Sequence, residues 1–112
     1  MSRQYTSMKK LDSTGEQIRK LREKVKMPLR KLASLLDMDQ STLSKIERGE
    51  RKANTQIIKQ IARIFSIDRK ELLVNFYSDI VLYEIGDKNT YSEILKVAEA
   101  KIEYKQALKN KA

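Results

Sequence analysis

Apolar residues recur at intervals of three and four along most of the chain, which is the spacing that places them on one face of an α-helix. Polar breaks divide this pattern into six segments, and no stretch alternates apolar and polar residues as a half-buried strand does. We therefore predict an all-α fold. The predicted helices begin near Thr14, Pro28, Asp39, Asn54, Asp68 and Thr90.

Residues at the predicted helix ends have the chemistry that helix ends require. Thr14 and Gln17 have the spacing of a capping box, in which each side chain satisfies a free backbone N–H. Pro28 suits the first turn of the second helix, because its missing N–H costs nothing there. Gly49 lies where a left-handed residue would end the third helix. The expected N-terminal caps of later helices are Asp39, Asn54, Asp68 and Thr90.

Each predicted helix has an apolar face that we expect to pack into a core. The fourth helix carries a second apolar stripe, Ile57 and Ile64, so we expect another element to cover it. The expected core residues are Ile18, Leu21 and Val25 in the first helix, Leu32, Ala33, Leu35 and Leu36 in the second, Leu43 and Ile46 in the third, and Ile58, Ile61, Ala62 and Phe65 in the fourth.

The net charge of +9 is confined to one part of the chain. Residues 1–73 contain 18 Lys and Arg against 9 Asp and Glu, whereas residues 74–112 contain 6 of each. A basic region of this kind, at residues 1–73, favours a polyanionic partner. The sequence has no Cys and no His, which excludes zinc fingers, thiol redox chemistry and Cys or His catalysis. We therefore expect no metal, no cofactor and no enzymatic activity.

The segment 29–49, LRKLASLLDMDQSTLSKIERG, reads as a helix, a tight turn and a second helix that ends at a glycine. Its Leu32-Ala33 pair, Asp39 and the run QSTLSKIERG resemble the Cro/C1-type helix-turn-helix of phage repressors, Xre-like regulators and restriction–modification controller proteins. The resemblance extends over residues 15–73. It implies a five-helix, lambda repressor-like domain whose third helix enters the major groove of DNA.

On this resemblance, the third helix presents four base-reading residues, Gln40, Ser41, Thr42 and Lys45. Gln40 can bond adenine N6 and N7, and Lys45 can reach guanine O6 or N7. Ser41 and Thr42 are short enough for the backbone to approach the bases closely. The alternatives are that Ser41 and Thr42 contact only phosphate, and that Gln40 and Lys45 are merely solvated.

The resemblance also implies contacts that position the domain on the DNA backbone. Arg22 and Glu47 match a salt bridge between the first helix and the end of the reading helix. We expect an exposed pair that contributes about 0–1 kcal/mol and therefore orients rather than stabilises. Two departures are the missing turn glycine, replaced by Asp37 or Met38, and Leu29 at a phosphate-binding position. The expected phosphate-binding residues are Arg22, Arg30, Ser44, Arg48, Arg51, Lys52 and Asn54.

We divide the chain into a flexible N-terminal arm at 1–13, a DNA-binding head at 14–73 and a helical dimerisation extension at 74–112. Arg3, Lys9 and Lys10 of the arm could touch phosphates. The runs ELLVNFYSDIVLYEIGD and EILKVAEAKIEYK resemble C-terminal extensions of Xre-type regulators that accompany DNA cytosine methyltransferases of restriction–modification systems. The alternative is that the last helix folds back onto Ile57 and Ile64. The expected dimer-interface residues are Phe76, Tyr77, Ile80, Tyr83, Ile94, Leu95, Ala98 and Ile102.

These features predict a transcriptional regulator that binds double-stranded DNA as a homodimer on a palindromic operator, as a restriction–modification controller would. The second hypothesis is an antitoxin whose extension binds a toxin. No apolar run approaches the roughly 20 residues of a membrane span. The first residues lack the apolar region of a secretory signal. We expect a bacterial cytoplasmic, nucleoid-associated protein with no membrane partner and no small-molecule substrate.

Overall fold

The structure, a computed structural model, describes residues 11–111, and within that range it consists of helices joined by turns. The all-α prediction is therefore confirmed. Of the predicted arm at 1–13, residues 1–10, which include Arg3, Lys9 and Lys10, lie outside the described residues. The helices are α1 (Thr14–Lys24), α2 (Leu29–Leu35), α3 (Gln40–Glu47), α4 (Thr55–Phe65), α5 (Arg69–Ile85) and α6 (Tyr91–Lys111).

The predicted capping box of α1 is wrong by one residue. Ser13 is the N-cap: its Oγ accepts the Glu16 N–H at 3.1 Å, and Glu16 Oε1 accepts the Ser13 N–H at 2.9 Å. The sequence contains two overlapping pairs with the same spacing, and the pair with a carboxylate suits the positive helix end better. The amide of Gln17 is consequently available for a contact with α5.

The start of α2 also differs by one residue from the prediction. Pro28 has extended backbone angles, φ −65° and ψ 151°, and is the N-cap rather than part of the first turn. Asp39 and Asn54 cap α3 and α4 as predicted, each accepting an N–H three residues later. Asp68 precedes α5 and accepts the N–H of Lys70 at 3.0 Å.

The first four helices all end in the same way, at a residue in the left-handed conformation. In each case the next residue donates its N–H to the carbonyl five residues before it, as in the Schellman motif. Only Gly49 was predicted for this role. Asp37 takes the place of the expected turn glycine, because a short polar side chain tolerates this conformation. The four residues and their φ angles are Lys26 at 57°, Asp37 at 55°, Gly49 at 78° and Ser66 at 55°.

The core forms as predicted except at two positions. Val25 is 58% exposed because it follows the last residue of α1, so the helical spacing no longer applies to it. Leu35 is 48% exposed because it lies about 100° around α2 from Leu36. Ile57 and Ile64 are half-buried against the core. The buried apolar residues are Ile18, Leu32, Ala33, Leu36, Leu43, Ile46, Ile58, Ile61, Ala62 and Leu72.

Two hydrogen bonds attach α5 to α1. The Thr14 N–H donates to Asp79 Oδ2 at 2.8 Å, and Asn75 Nδ2 donates to Gln17 Oε1 at 2.7 Å. The chain divides into one compact unit up to Asp79 and a second from Ile80 onwards. The predicted boundary between 73 and 74 lies earlier in the same helix.

The second unit contains the end of α5, a turn at Gly86 and α6. Gly86 breaks the helix as predicted, and its N–H donates to the Leu82 carbonyl at 2.8 Å. No residue of α6 is buried. Among the described residues, no helix is long and apolar enough to cross a membrane. The exposed large apolar residues of this unit are Val81, Leu82, Tyr83, Tyr91, Leu95, Val97, Ile102, Tyr104 and Leu108.

At Gly15 the backbone of α1 lies close against the end of α3. A Cβ atom at this position would lie 2.3 Å from the Ile46 carbonyl oxygen and 2.7 Å from that of Glu47. Both neighbours are backbone atoms, so no side-chain rotation can relieve the overlap. A larger residue at Gly15 would therefore push the two helices apart.

We expect Gly15→Ala to destabilise the protein by about 1–3 kcal/mol, because it overpacks this contact. A loss of stability would point to the close contact, because at an unconstrained helix position alanine is favoured over glycine by about 1 kcal/mol. Chemical denaturation followed by far-UV circular dichroism measures the change. Gln56→Ala, at an exposed position in α4, is the control and should leave the midpoint unchanged. An increase in stability for Gly15→Ala would contradict the close approach.

Candidate nucleic-acid interface

Helix α3, the predicted reading helix, is fixed at its N-terminus by Asp39. The Asp39 carboxylate accepts the Thr42 N–H at 2.7 Å. This backbone hydrogen bond, with a second one from the Thr42 hydroxyl, lowers the pKa of Asp39. Arg51 and Lys45 act on it in the same direction. Asp39 therefore stays ionised as a cap, with its charge at the positive end of the helix.

One side of α3 is buried and the other is exposed. Leu43, Ile46 and Glu47 face the interior of the unit. Of the four predicted base-reading residues, Gln40, Ser41 and Lys45 are exposed, whereas Thr42 is half-buried. Because the Thr42 hydroxyl bonds to Asp39, its methyl group is the part best suited to a thymine contact.

Arg22 and Glu47 form a bidentate ion pair in which Glu47 is buried and Arg22 is half-buried. Arg22 Nε donates to Glu47 Oε2 at 2.8 Å, and Nη2 donates to Oε1 at 2.9 Å. The hydrogen bond to Glu47 is the main cause of the raised pKa of Arg22. The side chains are only 14% and 5% exposed, so the expectation of an exposed surface pair is wrong. Breaking a pair of this kind leaves a buried charge without its partner.

The third nitrogen of Arg22 bonds within the protein as well. Nη1 donates to the Met27 carbonyl at 3.0 Å, in the turn after α1. The guanidinium therefore joins α1, the following turn and the last residue of α3. That Arg22 also contacts phosphate stays a prediction.

Arg48, the residue after α3, is also surrounded by partners. Its Nε and Nη2 donate to the two carboxylate oxygens of Glu50 at 2.8 and 3.2 Å, and its Nη1 donates to the hydroxyl of Ser44. The pair with Arg48 lowers the pKa of Glu50 and raises that of Arg48. Ser44 and Arg48, two predicted phosphate-binding residues, are therefore hydrogen-bonded to each other.

The remaining predicted phosphate-binding residues lie around the helix-turn-helix. Arg30, Arg51 and Lys52 are exposed. Asn54 uses its Oδ1 to cap α4, accepting the Ile57 N–H at 2.8 Å, so its Nδ2 is the group suited to a phosphate. Leu29 occupies the position at which the resembled family often has a phosphate-binding residue. It is half-buried and packs against the core.

Sequence reasoning missed two residues of this region. Gly15 sets the distance between α1 and α3, and the available signal was a glycine one residue inside a predicted helix, where it costs stability. Glu50 pairs with Arg48, and the signal was an acidic residue directly after the predicted helix-ending Gly49. Neither follows from the helical spacing of apolar residues.

We expect Glu47→Gln to destabilise the first unit by about 1.5–3 kcal/mol, because the half-buried Arg22 would lose the charge-assisted hydrogen bonds to its counter-charge. Urea denaturation at neutral pH measures this change. The control is Glu50→Gln, the same substitution in an exposed pair near the same end of α3, which should leave the urea midpoint unchanged. Equal effects of the two substitutions would show that burial of the Arg22–Glu47 pair has no energetic consequence.

Comparison with known proteins identifies this unit. The sequence profile of the helix-turn-helix family matches residues 18–72. Among solved structures, a crystal structure of a hypothetical protein from E. coli is similar, with a TM-score of 0.59 and 21% identity over 83% of this chain and 99% of that one. This likeness supports the fold alone. No curated protein matches the chain by sequence. Residues 18–72 therefore belong to the Cro/C1-type (Xre) helix-turn-helix family, and the chain is a DNA-binding transcriptional regulator.

Proposed function

We propose that this regulator binds a palindromic DNA operator as a homodimer, with α3 of each copy in the major groove. The observation that carries the proposal is the division of α3 into two sides. Leu43, Ile46 and Glu47 fix one side to the unit, and polar residues cover the other. A helix held in this way can present its side chains to base edges without rearrangement.

The exposed side of α3 carries the groups needed for base recognition. Gln40 lies at the N-terminus of α3, where reading helices contact bases, and its amide matches adenine N6 and N7. Lys45 lies just over one turn later and suits guanine O6 or N7. Ser41 is small enough to permit close approach. Phosphate contacts from Arg30, Arg51 and Lys52 would set the register of the domain without reading sequence.

The second unit supplies the proposed dimer interface. Its two helical segments expose nine large apolar side chains, and none of the residues of α6 is buried. Exposed apolar surface of this extent is typical of a protein–protein interface. Phe76, one of the predicted interface residues, packs against the core of the first unit. Tyr77 also lies in the first unit. We therefore centre the proposed interface on Ile80, Tyr83, Ile94, Leu95, Ala98 and Ile102.

The restriction–modification context is the more specific part of the proposal. It is supported by the resemblance of the runs at 71–87 and 93–105 to extensions of such controllers. The second candidate is an antitoxin, favoured by the same exposed apolar surface, which a toxin could cover instead of a second copy. In both cases the protein would act in the bacterial cytoplasm, on DNA of the nucleoid.

We expect Gln40→Ala to weaken binding to the selected operator by about 1–3 kcal/mol and to relax preference at one base pair. Sites are first selected from random duplexes, and affinities are then measured by fluorescence anisotropy at several salt concentrations. Lys52→Ala is the matched comparison: it should weaken all sequences alike and reduce the salt slope by about 0.9. Unchanged affinity and preference for Gln40→Ala would show that α3 does not read DNA with this residue.

We expect the free protein to be a dimer, and Leu95→Glu with Ile102→Glu to make it a monomer with weaker binding to palindromic DNA. Two buried charges in an apolar interface would be strongly unfavourable. Sedimentation equilibrium measures the assembly state. Ala100→Glu, on the opposite side of α6 from Ile102, is the control that should remain dimeric. A wild-type chain that is monomeric alone would contradict the homodimer and favour the antitoxin.

A further inference from the structure

Glu50 is held next to the C-terminal end of α3 by the turn that ends this helix. Gly49 takes the left-handed conformation, and the Glu50 N–H then donates to the Lys45 carbonyl at 2.8 Å. This bond returns the chain to the last turn of α3. The backbone of Glu50 is therefore fixed by the helix end, and its carboxylate accepts hydrogen bonds from the Arg48 guanidinium.

The pair formed there occupies the Nε–Nη2 edge of the Arg48 guanidinium. Two nitrogens bond the Glu50 carboxylate and the third bonds the Ser44 hydroxyl. A DNA phosphate can bind the same edge, because carboxylate and phosphate match a planar fork of N–H groups in the same bidentate way. Arg48 therefore cannot offer its Nε and Nη2 to both groups at once.

We propose that Glu50 limits the affinity of this regulator for DNA by competing with the phosphate backbone for Arg48. The proposal rests on the proposed function, since it assumes that α3 enters the groove. It adds a residue that acts against binding. A carboxylate beside the backbone also repels phosphate directly, and its field reaches Lys45, another group expected to meet DNA.

This role suits a head with 18 Lys and Arg against 9 Asp and Glu in residues 1–73. Such a charge gives strong binding to any duplex, because sequence-independent affinity comes from phosphate neutralisation. An acidic residue that cancels one phosphate contact lowers binding to all sequences alike. Bases remain readable, since Gln40 and Ser41 do not take part in the pair.

The test is Glu50→Gln in the full chain, with affinity measured by anisotropy for the selected operator and for a scrambled duplex of equal length. We expect affinity for both duplexes to rise by about twofold to fivefold, the range of an exposed ion pair. The salt slope should steepen by about 0.9, equivalent to one further phosphate. In an Arg48→Gln background the same substitution should give a much smaller rise, because the competition needs both partners.

The control for net charge is Glu71→Gln, at an exposed position in the first turn of α5. An equal rise for Glu71→Gln, or a full rise in the Arg48→Gln background, would overturn the proposal in favour of a general charge effect. A loss of affinity for Glu50→Gln would overturn it as well, since Glu50 would then orient Arg48 for the phosphate. A wild-type chain that binds no duplex would overturn the proposed function itself, whereas these other outcomes leave it intact.

Discussion

The contact between α1 and the end of α3 is the constraint on which the rest of the structure depends. Gly15 brings the two backbones together, with no room for a Cβ atom against the carbonyls of Ile46 and Glu47. Arg22, two turns further along α1, donates its Nε and Nη2 hydrogen bonds to the Glu47 carboxylate. One contact sets the distance between the helices and the other sets their rotation. Together, the close approach at Gly15 and the Arg22–Glu47 ion pair hold α3 against α1 with its polar side exposed.

This contact also connects α3 to the rest of the chain. Asn75 and Asp79 bond α5 to the first turn of α1, and α1 in turn holds the last residues of α3. The path consists of hydrogen bonds and close packing within one compact unit. It leads from the helix that continues into the second unit to the helix that belongs to the DNA-reading motif.

Three acidic residues at or beside α3 have different roles. Glu47 is buried and paired, so its charge holds the fold together. Glu50 is exposed and paired three residues later, so its charge acts on what approaches from solvent. Asp39 belongs to neither group, because its carboxylate is committed to capping α3. Acidic residues beside a DNA-reading helix can therefore stabilise, cap or oppose, and burial and hydrogen bonding decide which.

The sequence by itself determined the helices, their main caps and the reading motif, because these depend on local spacing and on residue chemistry within a few positions. It correctly placed Asp39, Asn54 and Gly49 at helix ends. The tertiary structure decided what depends on distant neighbours. It bonded Gln17 and the Thr14 N–H to α5, enclosed the Arg22–Glu47 pair and made Gly15 a point of contact between backbones. It left Val25 exposed because α1 ends before it, and Leu35 exposed because it lies to one side of the buried face of α2. Such outcomes depend on which elements meet in space, and helical spacing along one segment carries no information about that.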